Sequence, residues 1–320
     1  MVKEGCSHVF MEVSSHALDQ NRASGLSFDI GVYTNISRDH MDYHPTLNDY
    51  IGAKKKLFKS LKNDALAIVN FDDPYGEEMV RDIIAKPLSY GLKGDFDFKG
   101  KIVENNISGL SIEIDGFEMT SRLIGEFNAY NLLVVFAVAK SLGEEALTVL
   151  TIISNLKAPD GRFEYIVSPT NITAVIDYAH TPDALENVLK TLVSLKSDKE
   201  KIFTVFGCGG DRDKGKRPLM GEISSIYSDR VIITSDNPRS EKPSQIIKEI
   251  ISGIPKSKSN KVLTVQERKE AIKVACELAE SGDVILIAGK GHEKYQIIGD
   301  EKLHFDDLET TIEIFKQIQQ

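Results

Sequence analysis

Cysteine is scarce in this 320-residue sequence, long apolar runs are missing, and there is no excess of positive charge. Cys6, Cys208 and Cys276 are scattered without a CxxC pair, a usage that fits neither a disulfide framework nor a zinc ribbon and suits a reducing cytoplasm. No segment approaches the roughly 20 apolar residues that a membrane-spanning helix needs, so no membrane insertion is expected. The formal net charge of −9 argues against a protein that neutralises phosphodiester backbones, and nucleic acid is not an expected partner. Internal repeats and low-complexity stretches are likewise missing. No leader-like apolar segment opens the chain, and a first strand is expected almost at once, at residues 9–13. The sequence therefore reads as starting inside a βα unit, as a truncated form of a longer protein would.

What is present is a regular alternation. At 41% hydrophobic content, the length supports two ordinary cores. Short β-rich runs at residues 9–13, 30–34, 65–70, 172–177, 202–206, 231–234, 262–265 and 284–288 alternate with helix-length amphipathic segments. This rhythm predicts an α/β fold with mostly parallel sheets. Asp115-Gly116 between alternating runs predicts a hairpin, hence a small antiparallel insertion. Helices are expected over 129–142 and 147–157, followed by the turn-forming Pro159-Asp160-Gly161. A boundary near Asp160 divides the chain into domains 1–160 and 161–320.

In the first half, Thr46 reads as the N-cap of a helix, with Asp49 at its third position. Lys54 is three or four residues from Tyr50, Ile51, Leu57 and Phe58, which puts it in the apolar stripe, whereas Lys55 and Lys56 are expected to point away. A desolvated lysine has a lowered pKa and can act as an amine nucleophile, for instance towards carbon dioxide. The plainer alternative is a side chain whose head reaches the helix edge. Upstream, Arg38-Asp39-His40-Met41-Asp42-Tyr43-His44 follows a strand, where imidazole and carboxylate suit a divalent cation. Glu12 is either a metal ligand or a strand-terminal acid.

Glu12-Val-Ser-Ser-His-Ala-Leu18, Thr34-Asn-Ile-Ser-Arg-Asp-His-Met-Asp-Tyr-His44 and Ala53-Lys54 stand in an order and spacing that resemble the Mur ligase family, most closely its UDP-N-acetylmuramoyl-tripeptide synthetases. The resemblance implies a truncated central ATPase domain followed by a Rossmann-like carboxyl-terminal domain. It implies ATP and Mg2+ as cofactors, with Lys54 carbamylated and joining Glu12 and His40 around the metal. It further implies that Ser14, Gln20 and Arg22 hold the nucleotide-linked peptide UDP-N-acetylmuramoyl-L-alanyl-D-glutamate, in a monomeric cytoplasmic enzyme of peptidoglycan synthesis. Carbamylation would turn an inward cation into a carboxylate able to bind a hard metal.

Further along, Gly125-Glu-Phe-Asn128-Ala-Tyr-Asn131 and Asp160-Gly161-Arg162-Phe163-Glu164 resemble nucleotide-contacting elements of the family, which implies ATP contacts for Asn128, Asn131 and Arg162. Asp177-Tyr178-Ala179-His180-Thr181-Pro182-Asp183 has good capping chemistry at Thr181 and Pro182. Its likeness to a family motif implies that Asp177 and His180 approach the nucleotide on domain closure. Polar loops at 206–218, 235–241 and 289–293 follow successive strands and should converge on one crevice. There the resemblance implies an amino-acid pocket of Arg212, Asp236, Asn237, Pro238, Arg239, Gly289 and Glu293. The Asp-Asn-Pro-Arg form at 236–239 points to meso-diaminopimelate, with Arg239 on its distal carboxylate.

The family's glycine-rich phosphate loop has no counterpart near the start of this sequence, so the chain alone is expected to be inactive or very weak. Alternatives within enzymes are a lysine-adding ligase or a folylpolyglutamate or cyanophycin synthetase-like ligase. Outside enzymes, the alternative is a non-catalytic amino-acid-binding fragment.

Overall fold

A computed structural model of the protein describes residues 3, 5–36, 43–106 and 109–318. The chain divides into two compact units, the first comprising Met1–Glu104, Leu110–Ser121 and Glu126–Asn155, the second Asn105–Gly109, Arg122–Gly125 and Leu156–Gln320.

The first unit contains α1 (Ser15–Asp19), β1 (Ile30–Tyr33), α2 (Leu47–Lys59), β2 (Leu66–Asn70), α3 (Gly76–Val80), β3 (Lys86–Gly91), β4 (Phe98–Asn106), β5 (Gly109–Ile114), β6 (Phe117–Ser121), α4 (Glu126–Ser141) and α5 (Ala146–Ser154). Its sheet runs β1-β2-β3-β4-β5-β6. The pairs from β1 to β4 are parallel, and β5 with β6 is the expected antiparallel insertion. Asp115 and Gly116 both take positive φ, 54° and 80°, the backbone that a two-residue type I′ hairpin turn requires. At the start of α2, Thr46 Oγ1 accepts the Asp49 N–H at 3.2 Å and Asp49 Oδ2 accepts the Thr46 N–H at 3.0 Å. This reciprocal cap contributes about 1 kcal/mol and fixes where the helix begins.

Residues 9–13 correct an expectation: they form no strand. An apolar run becomes a strand only where a ladder partner accepts its backbone groups. Among the described residues, β1 pairs with β2 alone, and Val9, Phe10 and Met11 are exposed.

The second unit contains β7 (Glu164–Val167), β8 (Thr173–Asp177), α6 (Pro182–Leu195), β9 (Ile202–Phe206), α7 (Lys216–Tyr227), β10 (Arg230–Ile233), α8 (Pro243–Ile251), a 3-10 turn (Lys256–Lys261), β11 (Val262–Thr264), α9 (Arg268–Leu278), β12 (Val284–Ala288), β13 (Tyr295–Ile298), β14 (Glu301–His304) and α10 (Asp307–Gln317). Its sheet has the order β11-β10-β9-β12-β8-β7, parallel except for the edge strand β7. Alternate residues of each strand feed opposite faces, as the period of two demands. Val231, Ile233 and Leu286 join Leu189, Met220 and Ile250 of α6, α7 and α8 on one side. Ile232, Ile285 and Ile287 join Ala271, Ile272 and Ile314 of α9 and α10 on the other. The doubly wound sheet leaves its loops, and with them the candidate site, at the carboxyl ends of β8, β9, β10 and β12.

Candidate functional site

In the first unit, several of the expected substrate residues gather around α1. Ser14 caps that helix by accepting the Ala17 N–H at 3.2 Å. Gln20 donates to Tyr43 Oη at 3.2 Å, and Arg22 donates to Gln20 Oε1. Tyr43 donates to Asp19 at 3.0 Å, and Lys56 donates to the same carboxylate at 2.7 Å. Behind them the buried His44 meets Ser15 Oγ at 2.9 Å and stacks on Tyr50, with ring centroids 5.2 Å apart. Lys54 Nζ is 5.2 Å from the centroid of that same ring.

Of the three consecutive lysines of α2, Lys54 and Lys55 differ from the periodicity reading and Lys56 follows it. Lys55 is the buried one, with Nζ 2.6 Å from Glu78 Oε1, while Lys54 is half-buried and Lys56 exposed. The physical reason is α3, which packs against the flank of α2 that an apolar stripe assigns to solvent and supplies a counter-charge there. Hydrogen bonding from Lys55 holds the Glu78 carboxyl below its usual range. Glu12 is exposed, and His40 lies outside the described residues. Among the described residues no three His, Cys, Asp or Glu side chains converge as a metal site, so these donors do not by themselves complete one. Asn128 and Asn131 share the first turns of α4, with Asn131 Nδ2 donating to Asn128 Oδ1 at 3.1 Å.

At the end of β8, Asp177 is buried and accepts two backbone amides, Ala179 at 2.7 Å and Phe163 at 2.8 Å. Burial raises its carboxyl pKa, and those two bonds oppose the rise. The turn they hold is tight: Gly161 has φ +64°, and a Cβ there would come within 2.1 Å of the Gly291 carbonyl carbon. Arg162 stands 4.9 Å over the Tyr178 ring, which also lies 4.5 Å from His180 and 5.1 Å from His292. Expected residues Arg162, Asp177 and His180 are therefore assembled in one place, and Tyr178 and His292 join them unforeseen.

The loops after β9, β10 and β12 meet as expected. Gly289 has φ +114°, and a Cβ there would lie 3.0 Å from Asp236 Oδ2. Asn237 Nδ2 donates to Glu293 Oε2 at 2.9 Å, and Gln296 Nε2 donates to Asp236 O at 2.7 Å. Arg239 adopts a left-handed backbone, φ 49°, and its Nη1 donates to Gly210 O at 2.8 Å. The exposed Arg212 donates to Asp211 O at 3.2 Å on the same loop, while Pro238 is buried between the loops.

Sequence reasoning missed the cations behind this cluster. Lys290 is fully buried and donates to Asn237 Oδ1 at 2.9 Å and Tyr295 O at 2.8 Å, with Asp236 Oδ1 at 4.0 Å. Burial holds its pKa below the ordinary lysine value, against the pull of Asp236. Arg268, also fully buried, forks the Asp307 carboxylate with two 2.8 Å bonds. Its Nη1 makes no hydrogen bond and stands 3.9 Å from Asp236 Oδ2. For Lys290 the sequence offers only its place between Gly289 and Gly291, which marks a turn and not a buried cation. For Arg268 it offers nothing, because its partner is 39 residues away.

Two family models match the chain: the Mur ligase middle domain over residues 1–139 and the Mur ligase glutamate ligase domain over residues 161–291. The chain belongs to the Mur ligase family. It is 52% identical over 307 residues to the UDP-N-acetylmuramoyl-L-alanyl-D-glutamate--2,6-diaminopimelate ligase of Cytophaga hutchinsonii, covering 96% of this chain and 63% of that protein. It is 51% identical over 315 residues to the ligase of the same name from Parabacteroides distasonis, covering 98% and 65%. The chain thus spans a little under two thirds of these curated relatives. A solved structure of a ligase of that name superimposes with a TM-score of 0.68 at 37% identity, over 99% of this chain and 66% of the other. The fold is shared with a Thermotoga maritima MurF ligase solved with ADP, TM-score 0.68 at 18% identity. Within this Mur ligase frame, Lys290 and Arg268 fall inside the matched glutamate ligase region, whereas Asp307 lies beyond it. Among the described residues no helix is long and apolar enough to cross a membrane.

Proposed function

We propose that this chain carries the nucleotide and amino-acid handling parts of an ATP-dependent, ADP-forming ligase that joins meso-diaminopimelate to UDP-N-acetylmuramoyl-L-alanyl-D-glutamate in peptidoglycan precursor synthesis. In this reading residues 1–160 handle ATP and the peptide substrate, residues 161–320 hold the incoming amino acid, and the enzyme is a cytoplasmic monomer. ATP activates the terminal carboxylate as an acyl phosphate, and the amine of diaminopimelate displaces phosphate to form the amide. The observation that carries the reading is the strand-end cluster of the second unit, where Arg239, Asp236, Asn237, Glu293 and Gly289 meet. An amino acid with two carboxylates and two ammonium groups needs guanidinium for the former and carboxylate for the latter. The names of the relatives support the same substrate.

Arg212 and Arg239 are read as contacts for the distal carboxylate, Glu293 and Asp236 as acceptors for ammonium, and Asn237 with Pro238 as the wall between them. Arg162, His180, Asn128 and Asn131 are read as ATP contacts, with Asp177 holding the Arg162 turn. Ser14, Gln20 and Arg22 are read as contacts for the peptide substrate. Magnesium and a carbamate on Lys54, with Glu12 and His40, belong to the reading as its finer part. Lys54 is half-buried with Nζ over the Tyr50 ring, a contact that an unmodified ammonium makes, so the carbamate rests on the family resemblance alone; the described donors leave the metal set incomplete, and no step is derived through it.

The test is calorimetric titration of the chain with meso-diaminopimelate and with L-lysine, which lacks the distal carboxylate. Diaminopimelate should bind at least about tenfold more tightly, a difference of about 1.4 kcal/mol, and Arg239→Met should erase the preference. Equal affinity would remove Arg239 as the selectivity residue, and tighter binding of lysine would assign the chain to a lysine-adding ligase instead.

A further inference from the structure

Arg217, the second residue of α7, is fully buried, yet a cation in the first turn of a helix is opposed by the helix dipole. Its guanidinium instead points across to the neighbouring loops. Nη1 and Nη2 fork the Glu241 carboxylate, each at 2.9 Å. Nη1 also donates to Glu249 on α8 at 2.6 Å, and Nη2 donates to Gly209 O at 3.0 Å.

Glu241 belongs to the loop that carries Arg239, and Gly209 to the loop that carries Arg212. Around this junction the two loops are tied repeatedly. The Asp211 N–H donates to Glu241 Oε1 at 2.7 Å, and the Asp211 carboxylate accepts the Ser240 N–H at 3.2 Å and its hydroxyl at 2.7 Å. The Gly210 N–H donates to Asn237 O at 2.9 Å. At Gly210 the loops are so close that a Cβ would fall 1.9 Å from Pro238 O.

We propose that Arg217 and Glu241 are positioning residues for amino-acid selectivity, clamping the loop of Arg212 to the loop of Arg239 so that both guanidinium groups are presented to the distal carboxylate as one rigid unit. The proposal rests on the function proposed above. A fully buried guanidinium is tolerated only while its acceptors stay in place, and charge-assisted forked bonds are lost over small displacements. Neither loop can therefore shift without abandoning Arg217, and the loops move together or not at all. A misplacement of about 1 Å in such a positioning group can cost on the order of a hundredfold.

The experiment titrates the whole chain with meso-diaminopimelate and L-lysine, as wild type, Arg217→Met, Arg217→Lys, Glu241→Gln and Glu249→Gln, alongside amide hydrogen exchange at Gly210, Asp211, Asn237 and Ser240. Arg217→Met should lower diaminopimelate affinity at least about tenfold, equivalent to about 1.4 kcal/mol, and lysine affinity much less. Arg217→Lys should not rescue selectivity, because an ammonium cannot fork. Glu241→Gln should shift selectivity in the same direction, whereas Glu249→Gln, which removes the shorter ion pair, 2.6 Å against 2.9 Å, but no inter-loop tie, should leave it within about twofold of wild type. Loop amides should exchange at least about tenfold faster in Arg217→Met. The proposal is overturned if Glu249→Gln and Glu241→Gln shift selectivity alike, or if Arg217→Lys restores it. A wild type that binds neither amino acid would refute the assigned substrate, not the clamp. In that case unchanged loop exchange in Arg217→Met overturns the clamp, and accelerated exchange upholds it.

Discussion

Replacing Asp307 with asparagine tests whether the charges behind the amino-acid cluster act as an electrostatic brace. Arg268 and Asp307 are both fully buried, and the guanidinium grips both carboxylate oxygens at 2.8 Å. Removing one partner of such a pair leaves a buried charge without compensation, which typically costs about 3–5 kcal/mol. Here Asp236 stands 3.9 Å from the free Nη1 and offers partial compensation, so the lower end, about 3 kcal/mol, applies. At about 2–4 °C per kcal/mol for a domain of this size, the affected transition should fall by about 6–12 °C. Differential scanning calorimetry is the suitable assay, because two compact units need not melt in one two-state step.

The double substitution Arg268→Met with Asp307→Leu sharpens the test. Removing both charges removes the desolvation penalty together with the attraction, so stability should return to within about 2 kcal/mol of wild type. Diaminopimelate affinity should nonetheless fall at least about tenfold, because Asp236 loses one of the two buried cations beside it and keeps Lys290. A shift below about 2 °C for Asp307→Asn, or a double variant as unstable as the single one, would falsify the brace.

Other outcomes follow from the same contacts. Glu241 is held at about 2, below its ordinary value of 4.5, chiefly by its hydrogen bonds from Arg217. Its stabilisation is therefore complete above 4.5 and lost as pH falls towards 2, and in that window Glu241→Gln should flatten the stability-versus-pH slope by up to about 1.4 kcal/mol per pH unit in urea titrations. Gly210→Ala should destabilise by about 1–3 kcal/mol and speed exchange of the neighbouring loop amides, because the added methyl meets backbone rather than a movable side chain. No Gly-x-x-x-x-Gly-Lys-Ser/Thr loop occurs in the sequence, so ATP should bind this chain more weakly than about 1 mM by calorimetry, and tighter binding would contradict the expected weakness. Protein equilibrated with 13C-bicarbonate should give a carbamate carbon resonance that Lys54→Arg abolishes, and its absence from the wild type would remove the modified lysine from the reading.

The sequence reveals most where one physical factor dominates. Strands β8, β9 and β12 are buried at every residue, and such strands read directly as apolar runs. The Thr46 cap and the Asp115-Gly116 turn are equally local, each decided by the chemistry of two residues. Residues 9–13 have the composition of a strand, but composition does not reveal whether a ladder partner exists. The converse holds for β14, whose Glu-Lys-Leu-His residues are all exposed and which pairs with β13 without an apolar signature of its own. Helix α2 shows how periodicity fails: it measures angles from one apolar stripe, and a second neighbour, α3, makes the opposite flank an interior as well. In the site, the loops were legible from their position after strands, while the groups that hold them were not.

That asymmetry has a physical origin. Loops that meet a polar ligand at the end of an α/β sheet cannot be anchored by apolar packing alone, because burial of hydrocarbon is non-directional and fixes no hydrogen-bond geometry. Arg217, Arg268 and Lys290, all with no exposed surface, supply the direction. Each reaches a strand end or the loop beyond it: Arg217 at Gly209 O, Arg268 at Ala288 O, and Lys290 at Asn237 and Tyr295. Their burial is costly, and the two apolar layers flanking the sheet offset that cost. Their partners are set by tertiary contact rather than by spacing along the chain, so no reading of periodicity could have paired them. The same fact explains why their removal should alter selectivity more than fold, since the apolar layers remain when a brace is taken out.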